Sequence, residues 1–536
     1  MHQSTTAFNY IQTLKPLPLL DNRTLLRKIF KLALPVMLTN LLQSLVGVID
    51  TFMIGRLGEL EIAAAGMSNL VRILFLIMVL AVSAGSMSLI AQAKGARDPK
   101  RMSLVARQSV SAGLLLSLVL MVLGLLLAQP ILQFTNSGGD PRAIELGTAF
   151  LQIIFLGMPF LVLNIVFNRL MQGAGDTVTP LWITTGINFL NILFNYAFIF
   201  GFAFIPAYGL VGAAMGTVLS RALGVGLAFL VVLSGRNIIS FGKGSYLPDW
   251  QMFRDIFGIG LPSGIQGIFR NGGRLLVMSI VTSTTAGSIG AAALTIGISV
   301  ESIAFMPVLG INVAATNLVG EALGKWQVAQ ARRRGSFAIY LGVAVMAILL
   351  FPLVLFAPQI VRLFSPEASE TLIEAGTTYL RISTPFLLGT AVAMVGNGAL
   401  RGAGDTTPGM YSTMLTRGAL SVVLAWVFAF PLGMDLLGVW IGLAIGLLLD
   451  GVYLGWRWRS NVWEQVAIAR TDLYRKHLGQ FSAETRADYL ETIRTPLMAQ
   501  PKTTEIVTEN SVIYKLPDQD IVVDIEDGGY LFGRSA

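Results

Sequence analysis

Gly173-Ala174-Gly175-Asp176-Thr177 recurs letter for letter as Gly402-Ala403-Gly404-Asp405-Thr406, and each copy closes a long apolar run. Working outward from it, Leu34-Pro35 is matched by Leu261-Pro262, and the run from Ala91-Gln92 to Gly95 by Gly320-Glu321 to Gly324. The three pairs keep one order and stand about 227–229 residues apart. Shared order at a shared offset marks a duplicated unit, not scattered coincidence.

The runs between these landmarks set the fold class. Of 536 residues, 54% are hydrophobic and 13% charged, against about 25% charged in an average soluble protein. So little charge cannot coat a chain of this length in water. A spanning helix needs about 20 mostly apolar residues. Twelve runs qualify, near 30–54, 62–92, 106–129, 143–171, 178–201, 209–234, 254–282, 287–321, 335–357, 371–399, 409–431 and 437–456. The expectation is an all-α integral membrane protein: twelve transmembrane helices in two six-helix halves related by an internal repeat. An even number of helices per half makes the repeat parallel, about an axis along the membrane normal, with a binding site between the halves.

The parts divide as an N-terminal segment (1–29), a six-helix lobe (30–235), a linker (236–253), a second lobe (254–457) and a tail (458–536). The tail is polar, with a helical-looking piece around Trp463 to Ile493 and an acidic end, and is expected to be partly disordered. Basic residues alternate from loop to loop. Arg23, Arg27, Lys28 and Lys31 open the first span, Lys94, Arg97, Lys100 and Arg101 follow the second, and Lys325, Arg332, Arg333 and Arg334 the eighth. By the positive-inside rule both termini are cytoplasmic and the chain is a multi-pass inner (plasma) membrane protein. No cleavable leader is expected, because about thirty polar or mixed residues precede the first apolar run.

The net charge of +8 then reflects sorting across a bilayer, not nucleic-acid binding. Cysteine is absent, and the two histidines, His2 and His477, lie in the terminal segments, so no metal site and no cofactor are expected. No clustered catalytic set is visible either. The glycine-rich repeats lack the lysine and strand context of a phosphate loop. Gly173, Gly175, Gly402 and Gly404 read instead as helix ends, with Asp-Thr starting the next helix.

Charge inside a span costs at least about 2.5–3.5 kcal/mol on insertion scales, so each instance needs a reason. Asp50 sits in Leu45–Ile54, LVGVIDTFMI, on one helical face with Asn40, Gln43 and Gly47. The fifth span adds Asn188, Asn191 and Asn195 on one face, and the fourth adds Asn164 and Asn168. A single asparagine often only holds two helices together. Three polar stripes in one half beside a carboxylate point to a hydrated cavity. The second half differs: Arg270, Asn271 and Arg274 lie in the seventh span and Glu301 in the eighth, where the insertion cost predicts an Arg–Glu charge network. Asp450, near the cytoplasmic end of the last span, reads as structural. Arg72 and Arg221 pose the pairing question without answering it.

These residues, in order, resemble a known family. Leu34-Pro35 through Ile49-Asp50-Thr51-Phe52-Met53-Ile54-Gly55-Arg56-Leu57-Gly58 resembles the first-helix signature of multidrug and toxic compound extrusion (MATE) transporters of the NorM/DinF-like kind. Ala91 to Ala96, Asn195 to Gly201, Phe305-Met306-Pro307 through Gly324, and Leu400 to Thr406 are similar to later motifs of the same family, covering about residues 30–457. The resemblance implies cation-coupled export of small amphipathic, often cationic organic compounds by a protein working as a monomer in the lipid bilayer. It implies that Asp50 is the coupling residue, with Gln43, Asn191 and Asn195 around it. Some members hold further carboxylates in the seventh and tenth helices, where this chain has Arg270 and Thr390, which favours H⁺ over Na⁺ as the coupling ion. The tail after Ser460 is longer than is general in the family. Two rivals stay compatible with the spans: a lipid-linked saccharide flippase, and a receptor or scaffold acting through the tail.

Overall fold

The computed structural model describes residues 21–467, except 136–139, 203, 235–237, 243, 326, 367 and 461, and residues 504–507, 511–515, 520–524 and 530–532 beyond them. His2 and His477, and most of the helical piece expected after Trp463, lie outside the described residues.

The first half is built from α1 (Asn22–Gly55), α2 (Glu59–Gly95), α3 (Pro99–Thr135), α4 (Pro141–Leu156), α5 (Met158–Gly173), α6 (Val178–Phe200) and α7 (Gly209–Leu233). The second half holds α8 (Trp250–Thr282), α9 (Gly287–Gly324), α10 (Val328–Leu355), the short α11 (Ala357–Phe364), α12 (Glu370–Gly402) and α13 (Thr407–Thr413). A π-helical stretch, Met414–Leu420, follows, and then α14 (Ser421–Ala429) and α15 (Asp435–Arg459). Among the described residues ten helical segments are long and apolar enough to cross a membrane, and α4 with α5 adds an eleventh as a pair bent by 51°. The bend falls at Gly157, where Pro159 supplies no N–H to the preceding turn. The twelfth expected span, α8, has the length but carries Gln266, Arg270, Asn271 and Arg274 in its outer part, which lowers its apolarity.

The tail is not only coil. β1 (Thr504–Val507), β2 (Ser511–Lys515), β3 (Asp520–Asp524) and β4 (Tyr530–Phe532) form one antiparallel sheet in sequence order. Val507 pairs with Val512, Ser511 with Asp524, and Val523 with Tyr530. The β-branched runs TEIV, SVIYK and DIVVD favour strands. A reading by polarity and acidic charge alone passes over them.

Both copies of the repeat end a helix in the same way. Gly175 and Gly404 each take φ near +81°, a conformation that only glycine adopts without strain. Asp176 N–H donates to the Met171 carbonyl and Gly175 N–H to that of Gln172. Asp405 and Gly404 repeat the pattern onto Leu400 and Arg401. These paired bonds are the Schellman closure of a helix C-terminus. Asp176 then accepts from Thr179 N–H at 3.0 Å, starting α6. Pro35 leaves the Lys31 carbonyl without its helical donor, and Thr177 Oγ1 donates to that carbonyl at 3.4 Å.

The halves meet at the end that carries the basic loops, backbone against backbone. A Cβ on Gly95 would overlap the Glu321 carbonyl, and one on Gly324 the Gln92 carbonyl. Likewise Gly260 sits on the Ala81 carbonyl and Gly310 against that of Ala33. Each pair is the repeat image of the other. The bonds across the seam follow the same symmetry: Ser88 Oγ donates to the Arg401 carbonyl at 2.7 Å and Gln92 Nε2 to that of Gly402 at 3.0 Å. In return Asn317 Nδ2 donates to the carbonyls of Gln172, at 3.2 Å, and Gly173. The seam also exchanges helix ends. Leu25, Ile29, Leu32 and Ala33 of α1 pack into the second half's core. Met252, Phe253, Ile256 and Ile259 of α8 pack into that of the first. Past the seam, no residue of α1 from Asn40 to Gly55 is fully buried.

Gly95→Val or Gly324→Val is expected to loosen this seam by at least about 1–3 kcal/mol, because a branched side chain meets a fixed carbonyl. The chain has no native cysteine, so nitroxide labels at Lys100 and Arg333 report on the seam directly. Longer distances are expected in either variant, and an unchanged distribution refutes the seam as the closed gate.

Candidate functional site

Asp50 stands on α1, about 21 Å beyond Val36 of the seam at 1.5 Å per residue. Its Oδ1 accepts from Asn195 Nδ2 at 2.8 Å. Asn195 lies one turn from Asn191 on α6, and Asn191 Nδ2 donates to Thr217 Oγ1 on α7 at 3.2 Å. Gly216 makes room for this cluster, since a Cβ there would overlap Asn195 Oδ1. Asn191 and Asn195 are buried and Asp50 is half-buried, so the carboxylate is bound on its buried side and accessible on the other. Arg72 and Arg221, unplaced by sequence, act on Asp50 electrostatically without forming an ion pair with it. Arg72 Nη2 instead donates to Asn69 at 2.8 Å.

The other expected cavity residues lie apart from this cluster. Asn168 Nδ2 donates to Asn164 Oδ1 at 3.0 Å, a separate pair within α5. Asn188 Nδ2 is buried without a partner among the described residues. Asn40 is half-buried and Gln43 exposed on the face expected to border the cleft.

In the second half the expected Arg–Glu network is corrected. Glu301 is buried and accepts from Tyr379 Oη at 2.7 Å. The Tyr379 ring lies where a Cβ on Gly297 would stand, and it packs edge-on against Trp440 at 4.8 Å. Arg274 reaches Glu301 only electrostatically, and neither Arg270 nor Arg274 pairs with it. The reason is direction: Glu301 points into the core around Val300 and Trp440, whereas Arg270 and Arg274 lie on the exposed side of α8.

The ion pair that forms is one the sequence reading did not identify. Arg417 Nε donates to Asp450 Oδ2 at 2.8 Å, and Ser412 Oγ donates to Asp450 Oδ1 at 2.6 Å. Arg417 Nη2 adds Thr390 Oγ1 at 3.2 Å, so the tenth-span threonine serves this arginine. Arg417 belongs to the π-helical stretch, whose widened turn is a common mark of functional or strained positions. Asp450 is therefore structural, as expected, though through an arginine rather than through hydration. At the basic end, Asp405 of the second repeat copy is held by Arg457 at 2.6 Å. Lys94 lies 3.9 Å from Glu321 across the seam.

Among the described residues no group of three or more Asp, Glu or His is placed to hold a metal ion. What the polar residues do form is two separate clusters, Asp50 with Asn191 and Asn195 in the first half and Arg417 with Asp450 in the second.

Comparison with known proteins agrees with the duplicated helical fold. A family model described as MatE matches residues 35–197 and 262–427. A probable multidrug resistance protein NorM of Thermotoga maritima is 32% identical over 445 residues, covering 82% of this chain and 94% of that protein. One of the same name from Bradyrhizobium diazoefficiens is 31% identical over 441 residues, covering 80% and 92%. A solved structure described as the outward-facing conformation of a multidrug resistance MATE family transporter shares the fold, with TM-score 0.75 at 24% identity over 81% of this chain and 94% of that one. Another, described as MATE in the bent conformation, gives 0.76 at 24% identity, over 85% and 100%.

Asp450→Asn is expected to destabilise the detergent-purified protein by about 3–5 kcal/mol, since it strands a mostly buried arginine. Adding Arg417→Gln should recover most of the loss. Thermal unfolding measures both, and a single variant that melts like the native protein removes the pair from the fold's support.

Proposed function

The chain belongs to the MatE family of multi-pass membrane proteins, and on that premise we propose that it is a secondary active exporter of small amphipathic organic compounds, driven by inward proton movement at Asp50. The observation that carries this reading is a half-buried carboxylate, bonded to Asn195, in the part of α1 that lies beyond the glycine-packed seam between the halves. By the positive-inside rule the sealed end is cytoplasmic and both termini share it. The cleft then opens outward, and alternating access requires the seam to part while the outer ends close.

Asp50 suits proton exchange for three reasons. It is half-buried, so its ionised form is poorly hydrated. It meets the cleft, so a proton can reach it from outside. Its bond to Asn195 joins α1 to α6, and protonation weakens that bond and discharges the only carboxylate in this cluster. An Na⁺ site in the second half is less well supported, because Glu301 is committed to Tyr379 and has Arg274 in electrostatic range. Within this site, the cationic cargo implied by the family resemblance rests on Asp50 alone.

The scaffold alternative would place the function in the tail. The tail's first turn belongs to the membrane part: Trp463 stacks on Trp458 at 4.4 Å, and Arg332 holds Glu464 at 2.5 Å. A cut after Ala467 spares those contacts. Removing residues 468–536 is expected to leave transport in place, whereas a protein that acts through its tail would lose its function.

Asp50→Asn keeps the shape of the side chain and its place beside Asn195 but cannot titrate. Coupled efflux is expected to fall to background with normal membrane insertion. The assay is dye accumulation in everted vesicles under a pH gradient without added Na⁺. Accumulation that needs Na⁺ and ignores the pH gradient would overturn proton coupling, and unimpaired accumulation by the variant would remove Asp50 from it.

A further inference from the structure

The cleft holds more cations than its fold uses. Arg417 is neutralised by Asp450, and Glu301 is engaged by Tyr379. Arg270 and Arg274 stand one turn apart on α8, about 15 and 21 Å beyond Gly260 of the seam. Both are accessible, and neither has a hydrogen bond or ion pair among the described residues. Nearer the seam, Arg401 has a buried Nε without a partner, and the charges acting on it are Arg169 and Arg270, both of its own sign. Arg169 has only a neutral partner, Gln172 Oε1 at 3.0 Å. Across the cleft Arg72 and Arg221 outnumber Asp50.

Guanidinium groups do not shed their charge at working pH, and like charges repel strongly away from bulk water. A row of four such groups from the seam into the cleft, with two left free and accessible, is electrostatically incomplete. The guanidinium fork matches carboxylate, sulfonate and phosphate oxygens in a bidentate manner.

We infer that the cleft binds amphipathic organic anions, an acidic head on an apolar body, with the head seated on Arg270 and Arg274. The inference rests on the exporter reading for transport, but binding itself does not. It departs from the cationic cargo that the family resemblance implies. It also suits the energetics, because an inside-negative potential drives an anion outward and a proton inward alike. Exchange of a proton for a monovalent cation gains nothing from that potential.

Two dyes on one xanthene scaffold separate charge from shape: carboxyfluorescein, an anion, and tetramethylrhodamine methyl ester, a cation. Fluorescence anisotropy with the purified full chain in neutral detergent measures binding of each without any gradient. The native protein is expected to bind carboxyfluorescein the more tightly. The Arg270→Gln/Arg274→Gln double variant should lose at least about tenfold in that affinity while binding the cation as before. The Arg270→Lys/Arg274→Lys variant keeps the charge without the fork and should fall between them, which separates a lost site from a damaged fold. Displacement by short-chain phosphatidylglycerol distinguishes a lipid headgroup from a soluble acid as the occupant. Tighter binding of the cation by the native protein, or carboxyfluorescein binding indifferent to both variants, overturns the proposal. Arginine-dependent binding without accumulation in energised everted vesicles keeps the anion site and removes the exporter reading.

Discussion

The structure depends on one close approach: helix backbones pressed together at the basic end, with glycine where any Cβ would strike a carbonyl. Gly95 on Glu321 and Gly324 on Gln92 are the same contact seen from the two halves. Without side chains between them, the backbones approach closely enough for Ser88, Gln92 and Asn317 to reach the last carbonyls of the opposite half's repeat turn. The GAGDT turns present those carbonyls because each ends its helix with a left-handed glycine. In a bilayer, where apolar burial between helices offers little drive, close packing and such hydrogen bonds are what remain to hold two halves together.

On this symmetric frame the polar residues are arranged without symmetry. Asp50 has no counterpart, since the repeat brings Val277, Met278 and Ser279 to its place on α8. The second half instead carries arginines, one satisfied by Asp450 and two turned toward the cleft. Under the proposed function, a duplicated scaffold whose halves differ in charge would give one half to the proton and the other to the cargo. The packing glycines repeat because both halves must close against each other. The polar residues away from the seam are under no such constraint to repeat.

Much of this was legible in the sequence. Apolar length located the spans, the shared offset paired the halves, and Gly175 and Gly404 close their helices where the pattern placed them. A 3.6-residue period shows Asp50 on one polar helical face and Asn191 and Asn195 on another, and the family resemblance was what brought the two faces together. The pairing of Glu301 was not legible, because periodicity gives a face on one helix but not which neighbour it meets. A small residue at Gly297 and a tyrosine on α12 decided it. Arg417 with Asp450 was missed for a related reason: the π-helical stretch rotates Arg417 off the α-helical face. The exchanged ends of α1 and α8 were hidden too, because a repeat shows equivalence without showing which half a segment packs into.

That exchange explains how two dissimilar walls can act on one gate. Asp50 and Arg270 lie on α1 and α8, equivalent helices, each with its lower end set in the opposite half's core. Under the proposed function, a change of charge at Asp50 or Arg270 would act on a helix whose other end is part of the seam. Pro35 and Pro262 interrupt the hydrogen-bond ladder of these two helices between seam and cleft, where a helix bends most easily. Coupling therefore needs no contact between proton and cargo. It needs only that the seam have two packings, open and closed, and that each ligand favour one of them. The glycine contacts tie closure to the hydrogen bonds across the seam, since backbones in contact cannot part without losing them.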